Sequence, residues 1–287
     1  MDIVELEIFK TVAEQGGVNR AAAALHRVPS NVTTRVKQLE EKLGAKLFHR
    51  QGRRLVLSSE GKVLLAYADR VLRLCVEAQA ALKGNTPQGT LRLGSLESTA
   101  ATRLPPILAR YHTTYPAVRV ELVTGTSGAL VNKVLSEEVE AALVAEPFSA
   151  AGLETELAFV EELVLITPKS YPKIRTPKDI GARTVLAFTT GCSYRRRLEA
   201  WLGRANIVPE RVMEYGSYHA IVACAAAGSG IAVVPRAVLR AVVAEDQVAV
   251  HALPAKIAEA KTKLIWRRGH QSSVLDALRN ELARKKQ

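Results

Sequence analysis

The stretch HRVPSNVTTRVKQLEEKLGAKLFHR, residues 26–50, constrains the fold of this chain more than any other. Val32, Val36, Leu39 and Leu43 recur at intervals of 4, 3 and 4, which places one apolar stripe along a helix. Pro29 suits a helix start, where no N–H partner is lost, and Gly44 suits its end. The opposite face is unlike a solvated helix. Its first turns carry Ser30, Asn31, Thr33 and Thr34 where Glu and Lys would be usual, with Arg35 and Lys37 among them.

The flanking segments give that helix a setting. Asp2 to Gln15 reads as a helix with Leu6, Phe9, Val12 and Ala13 on one face, closed by Gly16-Gly17. Asn19 is placed to cap a short alanine-rich helix, Arg20 to Leu25. After Gly44, Leu47-Phe48 and Leu55-Val56-Leu57 read as short strands joined by a turn at Gln51-Gly52. Three helices and a basic hairpin predict a winged helix-turn-helix. The second helix of such a motif enters the major groove by its N-terminal residues, so short hydroxyl and amide side chains there can bond base edges and phosphates. Ser30, Asn31, Thr33, Thr34, Arg35 and Lys37 are the expected contacts on that helix. Asn19 and Arg20 add to them, and Arg50, Arg53 and Arg54 on the wing would reach the backbone or a minor groove.

Charge agrees with this placement. The chain carries +12 overall, and residues 19–54 alone hold nine Lys/Arg against two acids. Such a patch attracts phosphate backbones by releasing condensed counterions. With 287 residues and 48% apolar content, the chain has room for two globular domains. No run reaches the length of a membrane span, and the acidic, periodic start is unlike a signal peptide. Cys75, Cys192 and Cys224 form no CxxC and no Cys/His cluster. A reducing cytoplasm is the simplest reading, with a redox pair of Cys192 and Cys224 as the open alternative.

Residues 1–65, with RAAAALH, QLEEKLGAKLFHR and LSSEGKVLL as their framework, resemble the LysR-type transcriptional regulators. The resemblance extends along the whole chain. One departure bears on specificity: where that family usually has Ser-Gln-Pro-Ala-Leu-Ser-Arg, this chain has Val28-Pro29-Ser30-Asn31-Val32-Thr33-Thr34. The common Gln is Pro29 and the common Arg is Thr34, so base preference does not carry over. HRVPSN, PQGTLRLGSLESTA and CSYRRRLEAW are most similar to a subgroup of putrescine-utilisation regulators.

Beyond the wing, Ser59 to Lys83 reads as a long helix. Leu64, Ala68, Val71, Cys75, Ala78 and Leu82 form a heptad seam, expected to pair two chains rather than pack on its own domain. GNTPQG, residues 84–89, is the hinge. From Gly89 onward strands and helices alternate: strands at 90–94, 118–124, 141–145, 163–167, 185–187, 212–215 and 231–234, with helices at 101–114, 130–136, 196–201 and 219–227. This is α/β with largely parallel sheets and a ligand cleft at strand ends. The family resemblance implies a periplasmic-binding-protein-like effector domain with two subdomains. Its crossovers are expected near Glu161-Glu162 and Leu264–Arg267. The expected division is 1–58 winged helix-turn-helix, 59–89 linker and hinge, and 90–287 effector domain. The last splits into subdomain I (90–161 and 267–287) and subdomain II (162–266).

Polar residues, most of them hydroxyl-bearing, at corresponding strand ends mark the expected effector cleft: Ser98 and Thr99, Thr126 and Ser127, Thr190, Cys192 and Ser193, and Ser217, Tyr218 and His219. Helix N-termini there attract anions, which points to a small carboxylate or aldehyde-derived effector. Glu97 points instead to an amine. The blander role for the hydroxyls is helix capping.

No enzyme motif is present. Gly125-Thr126-Ser127-Gly128 lacks the lysine of a P-loop, and Gly228-Ser229-Gly230 lacks the rest of a dinucleotide fingerprint. There is no Gly-x-Ser-x-Gly, and His112, His219, His251 and His270 show no metal spacing. Neither cofactor nor metal is expected. A solute-binding transport protein would share the C-terminal pattern but not residues 1–83, and an architectural nucleic-acid protein would have no need of a cleft. The expectation is a cytoplasmic regulator, not an enzyme. Its partners would be promoter DNA, a small-molecule effector, a second copy in a homodimer and likewise a homotetramer, and RNA polymerase if it activates.

Overall fold

The computed structural model describes residues 1–52, 54–82, 86–181 and 184–284, with backbone alone at 77 and 80–82. Arg53 and the Leu82 side chain, both named above as contacts, lie outside the described residues. The chain divides into two compact units, Met1–Asn85 and Thr86–Gln287.

The first unit opens with α1, Ile3–Gln15. Asp2 and Glu5 form a reciprocal capping box at its start, and Gly16 ends it in the left-handed region at φ 63°. Helix α2 covers Val18–Ala24; its N-cap is Gly17, so Asn19 lies inside the helix and exposed, not at the expected cap. Helix α3, Pro29–Leu43, has Pro29 in its first turn and Gly44 as its left-handed C-cap. Phe9, Val12, Ala21, Val32 and Leu39 are fully buried where these helices meet. Leu43 is 40% exposed, because its stripe runs past the edge of this core. Strands β1 (Phe48–Gln51) and β2 (Arg54–Leu57) pair antiparallel, Phe48 to Leu57 through Gln51 to Arg54. Both begin or end a residue or more away from the expected bounds.

Helix α4, Ser59–Leu82, starts under the hairpin. The Ser58 hydroxyl accepts from the Gly61 N–H at 2.8 Å and donates to the Lys46 carbonyl at 2.6 Å. A Cβ at Gly61 would stand 2.1 Å from the Leu47 carbonyl oxygen, so only glycine lets α4 approach the hairpin this closely. Ala68 is fully buried, and Leu64 packs with it against Leu6, Phe9 and Leu39. The first half of the expected heptad seam is therefore core of its own domain. The free apolar stripe lies alongside it: Val63, Tyr67, Val71 and Leu74 are 60, 58, 39 and 66% exposed, and Ala78 is exposed. Only Val71 and Ala78 belong to both sets; Cys75 is half-buried between them.

The second unit is an α/β structure in two lobes. In the first lobe, β3 (Gly89–Ser95) pairs in parallel with β4 (Val118–Thr124) and β5 (Ala141–Ala145). Helices α5 (Glu97–Thr102), α6 (Leu104–Thr114) and α7 (Ser127–Leu135) follow these strands. The expected single helix 101–114 is thus two, broken at Arg103 ahead of Pro105-Pro106.

One long strand, β6 (Leu153–Pro168), runs through both lobes. From Leu153 to Glu162 it pairs antiparallel with β11 (Glu259–Arg267), and from Leu163 onward with β9 (Ala232–Pro235) and β10 (Val248–Ala252). The change of partner falls between Glu162 and Leu163. The return crossing departs from expectation. Strand β11 pairs along its length with β6 and β5, so it belongs to the first lobe, and the chain crosses between Ala252 and Glu259 rather than at Leu264–Arg267. Helix α12 (Ser273–Ala283) then packs on the first lobe through Leu275 and Leu278.

In the second lobe β7 (Thr184–Phe188) pairs in parallel with β8 (Arg211–Tyr215) and bridges to Ile231 ahead of β9. Helices α8 (Ser193–Gly203), α9 (Tyr218–Ala226), α10 (Arg236–Ala241) and α11 (Ala255–Ala258) surround it. The sheets are mixed rather than largely parallel, because β6 runs against every neighbour.

Candidate nucleic-acid interface and effector cleft

On α3, Ser30, Asn31, Thr34 and Lys37 are exposed, while Val32 and Leu39 hold the helix from behind. None of the four polar side chains has a hydrogen-bond partner among the described residues. Thr33 differs: its hydroxyl donates to the Pro29 carbonyl at 2.9 Å, which leaves it only acceptor capacity. The turn between α1 and α2 and the hairpin stand together, joined by the Leu55 N–H on the Gly16 carbonyl at 3.2 Å. Between them lies an open groove of about 620 Å³ lined by Asn19, Arg20, Arg50 and Arg54. Arg35, on α3, is half-buried and does not line this groove.

Two of the basic residues serve the domain itself. Lys42 pairs with the buried Glu5, and Lys46 with Glu40 at 2.8 Å. Glu40 also accepts the Leu47 N–H at 2.9 Å and so ties α3 to β1. Burial pushes the Glu40 carboxyl up, but Lys46 and the nearby N–H groups outweigh it and hold it below the usual carboxylate value. The hydrogen bond from Lys42 does the same for Glu5.

The cleft of the second unit forms where the C-terminal ends of β3, β4, β7 and β8 face one another. Glu97, Ser98, Thr126, Cys192, Ser193 and Tyr218 line it, with Leu96, Gly125, Ala145, Phe188 and Tyr194. The space enclosed is about 10 Å³, close to the minimum for a single water. The lobes are in close contact here. Ser193 donates to the Ala145 carbonyl at 2.7 Å and lies 3.0 Å from Ser127. Gly191 sits at φ 93°, and a Cβ there would stand 2.8 Å from the Thr126 hydroxyl.

Five expected cleft residues lie outside its lining. Ser127 bonds the Ala145 backbone, and Thr190 is exposed with its hydroxyl on Glu214 at 3.2 Å. Thr99 is buried within α5, His219 points to solvent, and Ser217 is the N-cap of α9. Phe188 and Tyr194 escaped the sequence reading because aromatic residues at strand and helix ends look like core. Tyr194, next to Cys192-Ser193, carried the one signal that could have found it.

The polar groups of the cleft are incompletely satisfied. Glu97 Oε2, Ser98 Oγ and the Tyr194 hydroxyl are buried without a hydrogen bond of ordinary geometry among the described residues, although the Ser98 and Tyr194 hydroxyls neighbour one another. Burial raises the Glu97 carboxyl above its usual value, opposed by the Tyr218 N–H and by His219. Burial likewise raises the Tyr194 and Tyr218 phenols. Among the described residues, no Lys, Arg or His lines the cavity. The arginines nearby bond protein groups: Arg196 bonds the Pro147 carbonyl and reaches the Ser193 hydroxyl at 3.4 Å, Arg103 forms a two-pronged pair with Glu161 at 2.8 and 2.7 Å, and Arg236 one with Glu162 at 2.8 and 3.0 Å. Arg197 bonds the carbonyls of Glu259, Lys256 and Ile257 at 2.7 to 3.3 Å, next to the return crossing. Among the described residues there is no cluster able to hold a metal ion and no helix long and apolar enough to cross a membrane.

The sequence matches two family profiles that together cover most of the chain. Residues 3–62 match the bacterial regulatory helix-turn-helix protein, lysR family, and residues 84–287 match the LysR substrate binding domain. Among curated relatives, the HTH-type transcriptional regulator GltR of Bacillus subtilis is 37% identical over 93% of this chain and 91% of GltR. YusT of the same organism, an uncharacterized HTH-type transcriptional regulator, is 38% identical over 97% of this chain and 93% of YusT. Among solved structures, full-length CbnR complexed with its target DNA matches with a TM-score of 0.72 at 23% identity, covering 99% of both chains. A full-length OxyR variant from Pseudomonas aeruginosa matches with a TM-score of 0.72 at 22% identity, covering 98% of this chain and 94% of OxyR. With a winged helix-turn-helix in one unit and a two-lobed cleft in the other, and with regulators rather than enzymes as its relatives, this chain belongs to the LysR family of DNA-binding transcriptional regulators and carries that family's effector-binding domain.

Proposed function

We propose that this regulator reads promoter DNA with Ser30, Asn31 and Thr34, anchored on phosphates by Arg20, Lys37, Arg50 and Arg54, and that a small molecule in the cleft modulates the binding. The observation that carries this reading is the face of α3. Four polar side chains stand exposed and unbonded there, and the same unit carries a groove rimmed by arginines that have no acidic partner among the described residues. Lys42 and Lys46 are excluded from the contact set, because their charges are held by Glu5 and Glu40.

The functional unit is a homodimer joined along Val63, Tyr67, Val71, Leu74 and Ala78 of α4, and the effector domains join two dimers into a homotetramer. The exposed apolar stripe supports the first contact. The protein works in the cytoplasm, with RNA polymerase as a further partner where it activates. The narrower kinship with putrescine-utilisation regulators is a separate proposal, resting on HRVPSN and CSYRRRLEAW alone.

Fluorescence anisotropy of the full chain on DNA from upstream of its own gene tests the regulator reading. The expected result at physiological salt is binding at least ~10³-fold tighter than to random duplex. Equal affinity for both would make it a non-specific nucleic-acid protein.

A further inference from the structure

The cleft offers two kinds of attraction, and they point to opposite ligands. Helices α7, α8 and α9 direct their N-termini toward it, which favours an anion. Those positions are already filled. The Ser127 and Ser193 hydroxyls bond each other and the Ala145 carbonyl, and the Tyr218 N–H at the start of α9 faces the Glu97 carboxylate. Glu97 thus supplies the anion itself, from the opposite lobe.

What remains unfilled is one carboxylate oxygen and two hydroxyls. Glu97 Oε2, Ser98 Oγ and the Tyr194 hydroxyl oxygen line one cavity, and all three are buried without a hydrogen bond of ordinary geometry among the described residues. Ser98 and Tyr194 are each only 2% exposed. A second carboxylate would meet the Glu97 charge in a desolvated space with no lining Lys or Arg to offset it. An ammonium group has three N–H donors, which the Glu97 carboxylate and the two hydroxyl oxygens can accept; the hydroxyls could donate instead, so the Glu97 carboxylate decides the sign of the ligand. Phe188 and Tyr218, stacked with centroids 5.1 Å apart, add aromatic faces that attract a cation.

We propose that the effector is a small protonated amine, held by Glu97 Oε2, Ser98 Oγ and the Tyr194 hydroxyl, with its apolar part along Phe188 and Tyr218. This rests on the reading of the cleft as the effector site and names its ligand class. The enclosed space holds about one water, so the amine enters only as the lobes part. The partner change of β6 at Glu162–Leu163 and the return crossing before Glu259 are the two connections about which they move. Binding would then change the separation of the lobes, the quantity a regulator transmits.

The test uses the full chain and two matched probe series at pH 7.5: butylamine, butanol and butyrate, and benzylamine, benzyl alcohol and benzoate. Binding is read by thermal shift and titration calorimetry. The expected result is a saturable rise in Tm of at least ~3 °C for an amine near a hundred times its Kd. Alcohols and carboxylates should bind at least tenfold more weakly. Glu97→Gln should weaken the amine at least tenfold, and Phe188→Leu severalfold. Should Glu97→Gln fail to fold, Glu97→Asp and Ser98→Ala carry the test, each expected to weaken the amine. Equal or tighter binding of butyrate or benzoate, amine affinity within twofold of wild type in the Glu97 variants, or no response to any probe would each overturn the proposal. The regulator reading is judged separately, by sequence-specific DNA binding of the ligand-free chain.

Discussion

Replacing Arg103 by alanine should unfold the effector domain far more readily than loss of an ordinary surface charge. The Glu161 carboxylate is 4% exposed and its two-pronged bond to Arg103 is its close ionic contact. Arg103→Ala leaves that carboxylate buried and uncompensated. Breaking a buried pair costs about 3–5 kcal/mol, and the lower end, about 3 kcal/mol, applies because the Arg103 side chain is 30% open to water. At a urea dependence of about 2.5 kcal/mol per molar, the midpoint should fall by about 1.2 M. Tryptophan fluorescence isolates this transition, since Trp201 and Trp266, the chain's two tryptophans, both lie in the second unit. The paired change Arg103→Met with Glu161→Leu removes both charges and should return to within about 1 kcal/mol of wild type. A single-variant cost below about 1 kcal/mol would mean that Glu161 is effectively solvated. A double variant as unstable as the single would mean that shape, not the orphaned charge, accounts for the loss.

Three further outcomes follow from the same geometry. Thr34→Ala should cost about 1–3 kcal/mol on specific DNA and relax preference at one position, whereas Arg54→Ala should weaken specific and random DNA alike and reduce the salt slope by about one, both read by anisotropy across a salt series. Leu74→Glu places a charge in the exposed stripe of α4 and should convert the assembly to smaller species in sedimentation velocity while the winged domain keeps its helical circular dichroism; an unchanged sedimentation coefficient would reject the stripe. Glu5 and Glu40 both titrate below their unfolded values, so the stability they contribute is present above the ordinary carboxylate pKa and lost as pH falls through their lowered ones; acid should therefore melt the first unit below about pH 4, and Lys42→Met should lessen that dependence.

Much of the winged domain was legible in its sequence because its signals are local. Pro29, the valine stripe and Gly44 define α3 from end to end, and Gly16 does the same for the end of α1. Long-range pairing was not legible. Lys42 reads as part of a DNA-facing patch until Glu5, 37 residues away, is seen to hold it. Leu64 and Ala68 fit a heptad repeat as well as their exposed neighbours do, and only the packing of α1 decides which stripe is free. Strand β11 was missed because Lys261 and Lys263 interrupt its apolar residues, and with it went the true position of the return crossing.

In the cleft, sequence located the strand ends but not which polar groups were already bonded. Hydroxyls at helix starts suggest an anion site; the Ser127 and Ser193 hydroxyls are hydrogen-bonded within the protein and the α9 N-terminus faces Glu97, which is why an amine is proposed instead. Glu97 stood out in both readings because it places a carboxylate at the start of α5, in the lining of the cleft.

Selection from a random duplex library by the full chain, without ligand, tests the central claim most directly. The account predicts enrichment of a dyad-symmetric site whose half-sites lie about 10 base pairs apart or a multiple of that, as two α3 helices on one face of the duplex require. Thr34→Ala should alter one position in each half. A library with no enriched sequence, or with single half-sites alone, would contradict it.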